Sequence, residues 1–148
     1  MTIDWEYDDG GRAAAGYRGL TGDCVVRAIA IAGRLPYQQV YDEINQLALR
    51  ERPRKGRKRS SARTGVFKPT IRRWMDNHGW VWTPTMTIGS GTTVHLRTAE
   101  LPSGRIVVQV SGHLAAVVDG VLRDTVDCSR EGTRCVYGYW TVPAGATI

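Results

Sequence analysis

Apolar positions recur along this chain with two different periods, and the switch between them organises it. Residues 1–19 are polar and glycine-rich with no period, which predicts an irregular arm laid over the surface. From Cys24 the string CVVRAIAIAG places Val25, Ala28, Ile29 and Ala32 at helical spacing. That segment is nearly apolar all round, so it predicts a helix buried in the core. Thr21 or Asp23 is positioned to cap its start by accepting a hydrogen bond from a free backbone N–H, and Gly33 is a natural stop. A second helix is expected from Pro36 to about Arg50. Val40, Tyr41, Ile44 and Leu47 form its apolar stripe, with Asp42, Glu43 and Gln46 outside. A third is expected from Pro69 to Asn77, ending at His78-Gly79.

Beyond this point the period shortens to two. Residues 80–83 predict a short strand, and 84–104 are turn-rich, with Val94-His95-Leu96 as a brief strand. Strands are predicted over 106–110, 113–118, 121–125 and 136–142. Asp119-Gly120 joins the second and third of these as a two-residue hairpin turn, since both residue types tolerate positive φ. Helices followed by an antiparallel sheet predict an α+β fold, and residues 1–148 suit one domain. The aromatic residues Trp74, Trp80, Trp82, Tyr137, Tyr139 and Trp140 are expected mostly in the core.

Charge changes the picture in one place. The net charge is +6, yet the stretch from Arg50 to Arg63, RERPRKGRKRSSAR, carries much of it, and the remainder is close to neutral or slightly acidic. With Pro53, Gly56 and paired serines, residues 50–65 predict an exposed basic loop. Arg54, Lys55, Arg57, Lys58 and Arg59 are its candidate contacts for an acidic partner or nucleic acid. The run lacks the interleaved aromatics that stack bases. No apolar run approaches the roughly 20 residues that span a bilayer. The N-terminus MTIDWEYDDGG is acidic and lacks a secretory apolar core, so the expectation is a cytoplasmic protein with no membrane partner. Three cysteines cannot all pair with one another within the chain, which favours reduced thiols.

The candidate chemistry begins at Cys24. A thiol in the first turn of a helix sits at the positive end of the dipole, which favours the thiolate nucleophile. His113, opening a strand after Ser111-Gly112, is the candidate base. If Asp119-Gly120 is the turn, Val118 pairs with Val121 and Ala115 with Asp124. Asp124 then projects beside His113, one diagonal step away, where it can orient the imidazole. Asp127 faces away in this register; a one-residue slip would exchange the two, so it is the fallback orienter.

The order of a helix-borne Cys, a strand-borne His and an acid across the next hairpin resembles papain-like cysteine peptidases. The strings GDC and GHLAAVVDGVLRD look most like small prokaryotic branches, such as the bacteriocin-processing and NlpC-type peptidases. GDCVVRAIAIAGRLPYQQVYDEI is also similar to small phage proteins of this type. The resemblance covers residues 21–45 and 111–127. It implies a papain-like fold and a hydrolase with a Cys24–His113–Asp124 triad acting on an amide bond in a protein or peptide, with no cofactor and no metal. A phage origin would place it in the host cytoplasm. Those families often carry a Gln about six residues before the Cys as oxyanion donor; this chain has Arg18 there. Arg18, Tyr17 or Thr21 is then the expected second donor beside the Cys24 N–H. The same triad also serves transferases and deamidases.

The rival reading is a non-catalytic binding protein that uses residues 50–63. Cys128 and Cys135, flanking SREGTR, could form a disulfide or hold a metal, with free thiols the default. His78 suits a helix C-terminus, and His95 is the alternative base.

Overall fold

In a computed structural model, residues 2–19, 21–53, 55–56, 58–86, 89, 91 and 93–143 are described. Arg54 and Arg57 of the basic run therefore lie outside the described residues. The helices form where the periodicity places them: α1 Cys24–Gly33, α2 Tyr37–Ala48 and α3 Lys68–Asn77. Helix α1 stops because Arg34 adopts the left-handed conformation at φ 54°. The N–H groups of Arg34 and Leu35 close onto the carbonyls of Ile31 and Ala30. Pro36 precedes α2 as its N-cap residue rather than standing inside the first turn.

There are six strands, β1 Asp4–Tyr7, β2 Val81–Pro84, β3 Arg105–Val110, β4 His113–Val118, β5 Val121–Asp124 and β6 Gly138–Thr141, and the last five fall where the alternation places them. They make one sheet in the order β1-β5-β4-β3-β6-β2. Asp119 (φ 49°) and Gly120 (φ 78°) both take the positive φ of a tight hairpin turn. Gly120 is required for space as well, because a Cβ there would lie 2.7 Å from the Thr98 methyl.

The N-terminal arm departs from expectation. Residues 4–7 of the N-terminal arm form β1, which pairs parallel to β5 through Asp4↔Val121 to Tyr7↔Asp124. The sheet is consequently mixed rather than purely antiparallel, since the arm brings in an edge strand from the other end of the chain. Four polar or aromatic residues, DWEY, give no alternation to read, because every one of them is exposed. The described Lys and Arg residues from 50 to 59 are exposed, while the end of the run is anchored. Ser60 and Ala62 are buried. Glu51 accepts hydrogen bonds from the Ser60 N–H and the Thr70 hydroxyl, and Asn45 accepts from the Ala62 N–H.

Both faces of the central strands are covered, which is why β3 and β4 read as nearly unbroken apolar runs. One face carries Val107, Leu114, Ala116 and Trp140 against the three helices. The other carries Ile106, Val108, Val110, Ala115, Val117 and Leu122 beneath Ile3, Leu96, Cys128 and Val136. Trp74, Trp80 and Trp140 are buried, whereas Tyr137 is exposed. Among the described residues no helix is long and apolar enough to cross a membrane.

Candidate active site

The site lies at the end of the β4–β5 hairpin away from its turn, where β4 begins and β5 ends. The observed register is Val118↔Val121, Val117↔Leu122 and Ala116↔Arg123. Continued to the next pairs, it sets His113 and Asp124 diagonally on one face, as the turn predicts. His113 Nε2 lies 2.6 Å from Asp124 Oδ2. Cys24 opens α1, which packs on β4, and the thiol shares a cleft with His113 and Leu114 at the start of that strand.

A network of buried charge supports this pair. Asp23 is fully buried, and instead of capping α1 its carboxylate accepts from Arg12, Thr21, Arg27 and Tyr37. Arg27, one helical turn further on, reaches Asp124 Oδ1 at 3.2 Å through its second guanidinium nitrogen. The Thr125 N–H adds a bond to the same oxygen at 2.7 Å. The Asp124 carbonyl accepts from the Trp5 indole and the Asp8 N–H, so the arm and β1 anchor this end of β5.

These contacts set the ionisation. Burial pushes the Cys24 thiol up, but the hydrogen bonds from His113 and Leu114 and the charges of His113 and Arg27 outweigh it, and its pKa falls below the ordinary thiol value. Burial pushes His113 down, and its hydrogen bonds to Asp124, Cys128 and Cys24 reverse this, raising it to about 11. Burial also pushes Asp124 up, against the hydrogen bond and charge of His113, the Thr125 N–H and Arg27, which together hold it below the usual carboxylate range. The two shifts act in the same sense, favouring a thiolate beside an imidazolium, with Asp124 bonded to the ring.

Cys24 and His113 line a cleft of about 410 Å³ together with Thr64, Gly65, Val66 and Gln109. The wall opposite the hairpin comes from the end of the basic run. The Gly22 N–H donates to the Arg63 carbonyl at 2.7 Å. A Cβ on Gly22 would lie 2.7 Å from the Thr64 carbonyl oxygen, so glycine is what permits this approach.

The remaining candidates fall outside the central group. Thr21 lines the cleft, but its hydroxyl is committed, accepting from Arg12 and donating to Asp23. Arg18 is exposed and is tied to the Arg63 guanidinium through its own carbonyl. Asp127 accepts from the Ser129 N–H and hydroxyl, leaving Asp124 beside the histidine. His95 faces Glu100, and His78 stacks on Trp74 at the end of α3. Lys55, Lys58 and Arg59 are exposed.

Two contributors escaped the sequence reading, Arg27 and Gln109, and a third, Cys128, was weighed there only for a disulfide or a metal. Arg27 had a usable signal, because the lone charge in an apolar helix must find a buried partner, and Asp23 stands four residues before it. Gln109 had a weaker one, as the polar position in the apolar strand RIVVQV. The place of Cys128 beside His113 depends on how the loop after β5 folds back.

His113, Asp124 and Cys128 each offer a ligand atom within 4.8 Å of the others, which raises the question of a metal. Two ligands about 2.0–2.2 Å from a tetrahedral zinc stand roughly 3.3 Å apart. At 2.6 Å, His113 and Asp124 are at hydrogen-bond separation, and a metal would have to break that bond to enter. Cys24, Cys128 and Cys135 are all free thiols. Compared with known proteins, the chain matches no family model, no curated protein and no solved structure.

Proposed function

We propose that the protein is a cysteine hydrolase of the papain-like type, cleaving an amide bond in a peptide or protein. The observation that carries this reading is the junction of Cys24 at a helix start with a His113–Asp124 pair, on the wall of one cleft. The Cys24 thiolate attacks the carbonyl carbon, and the carbonyl oxygen becomes an oxyanion. The His113 imidazolium gives its proton to the leaving amine, which departs as the C–N bond breaks and a thioester forms. A water then loses its proton to neutral His113 and attacks the thioester, releasing the acid and restoring the thiolate–imidazolium pair. Asp124 keeps the ring oriented and favours its charged form.

The oxyanion is met by the Cys24 backbone N–H, which as the first in its helix has no intrahelical acceptor. The second donor is the side-chain amide of Gln109. It lines the cleft, whereas Thr21 is engaged and Arg18 is exposed. An amide from β3 thus takes the role expected of a residue upstream of Cys24.

The test is the pH dependence of iodoacetamide labelling at Cys24 in the wild type and in His113→Ala. The reading expects fast labelling well below pH 8 that falls on the order of a hundredfold in the variant, as the thiol returns towards a pKa of about 8.5. Slow labelling with an ordinary thiol profile, indifferent to the substitution, overturns it.

A further inference from the structure

Beside the cleft lies a second, larger cavity of about 530 Å³ whose charge is almost all of one sign. Arg50, Arg52, Lys58, Arg59, Lys68 and Arg73 line it, drawn from the end of α2, the basic run and α3. Each of the six is exposed. Against them stands the single carboxylate of Glu51, whose oxygens accept from the Ser60 N–H and the Thr70 hydroxyl. Those bonds tie the run to α3, as does the 2.9 Å bond from the Phe67 N–H to the Ser60 hydroxyl, so the cavity is a built feature. The cost of gathering six like charges is repulsion, which an anionic occupant would relieve.

Lys68 lines both this cavity and the cleft over Cys24, so the two share a wall. We propose that the basic cavity holds an acidic segment of the polypeptide whose amide bond lies over Cys24, making the substrate a chain with clustered Asp or Glu close to the scissile bond. This deepens the hydrolase reading and rests on it. The apolar part of the cavity is furnished by Pro53, Pro69 and Phe67. One aromatic ring among the described residues is less than the track on which single-stranded nucleic acids stack successive bases. The shared wall with a nucleophile that attacks carbonyls also points to a polypeptide.

The experiment measures fluorescence anisotropy of a fluorescein-labelled Glu-rich peptide with the full chain. Its Gln-for-Glu counterpart and a labelled oligothymidylate serve as comparisons, and Cys24 labelling is followed in parallel. The acidic peptide should bind and the neutral one should not. Raising salt from roughly 50 to 500 mM should weaken binding at least about tenfold. A variant carrying Arg52→Gln, Arg59→Gln and Arg73→Gln should lose about tenfold or more in affinity. Its circular dichroism and its Cys24 labelling rate without peptide should stay unchanged. Saturating peptide should slow Cys24 labelling in the wild type, because the cavities adjoin. Equal binding of the neutral peptide, or tighter binding of the oligothymidylate, overturns the proposal. Peptide binding beside an inert Cys24 overturns it through the hydrolase reading, whereas a reactive Cys24 without peptide binding overturns it through the cavity alone.

Discussion

The molecule handles charge in two opposite ways within adjoining regions. Under Cys24, Arg12, Asp23, Arg27, Asp124 and His113 are joined in sequence, each positive group touching a negative one and the aspartates almost wholly buried. In the basic cavity, among the described residues, six exposed cations face one carboxylate. Buried and paired, charge sets geometry and ionisation, because any unpaired member carries the full cost of desolvation. Exposed and unpaired, it sets attraction over a Debye length and adds little to stability. In the proposed hydrolase, the first region would prepare the nucleophile and the second would choose what reaches it.

The largest effect expected from breaking this contrast is Arg27→Ala. It leaves Asp23 and Asp124 short of a cation in the core, and should cost about 3–5 kcal/mol in chemical denaturation. An effect under about 1 kcal/mol would mean that the network is solvated and not the buried scaffold described above. Acid tests the same region. Asp23 is pushed up by burial but pulled lower overall by Tyr37, Thr21, Arg27 and Arg12, and Asp124 is also lowered. A depressed folded pKa gives stability that is present above the unfolded carboxylate value and lost as pH falls through the folded one. The urea midpoint should therefore hold near neutrality and decline below about pH 4. A midpoint unchanged down to pH 2 would remove these carboxylates from the account.

A smaller effect is expected of Asp124→Asn. Without the carboxylate the imidazolium loses its main support, so Cys24 labelling near pH 6 should slow roughly tenfold to a hundredfold. In the wild type the labelling rate should rise with pH through the lowered thiol pKa, and the imidazolium should persist to about 11. A rate indifferent to the substitution would show that Asp124 serves only the scaffold. The smallest effect belongs to the basic cavity, where Arg52→Gln with Arg59→Gln should change stability by no more than about 0.5 kcal/mol. A large loss there would make the cavity structural and erase the contrast.

Local pattern carried much of this far. The three helices, the hairpin and the diagonal of His113 and Asp124 were legible because each depends on periods and turns within a few dozen residues. The N-terminal arm was not, because its pairing partner stands more than a hundred residues away and the strand's own residues are all exposed. Gln109 and Cys128 were hard to place for a related reason, since a polar position in a strand or a cysteine in a loop does not state what lies across the cleft.

By itself, the sequence determined the secondary structure around Cys24 and the register that sets Asp124 beside His113. Side-chain alternation and turn chemistry act over short separations, so they can be read residue by residue. Only the tertiary structure decided that α1 docks its first turn against the start of β4, that Arg27 spans two aspartates, and that the basic run folds back to share a wall with the cleft. Those outcomes depend on the burial of whole faces and on the pairing that buried charge demands, and both are properties of the assembled molecule.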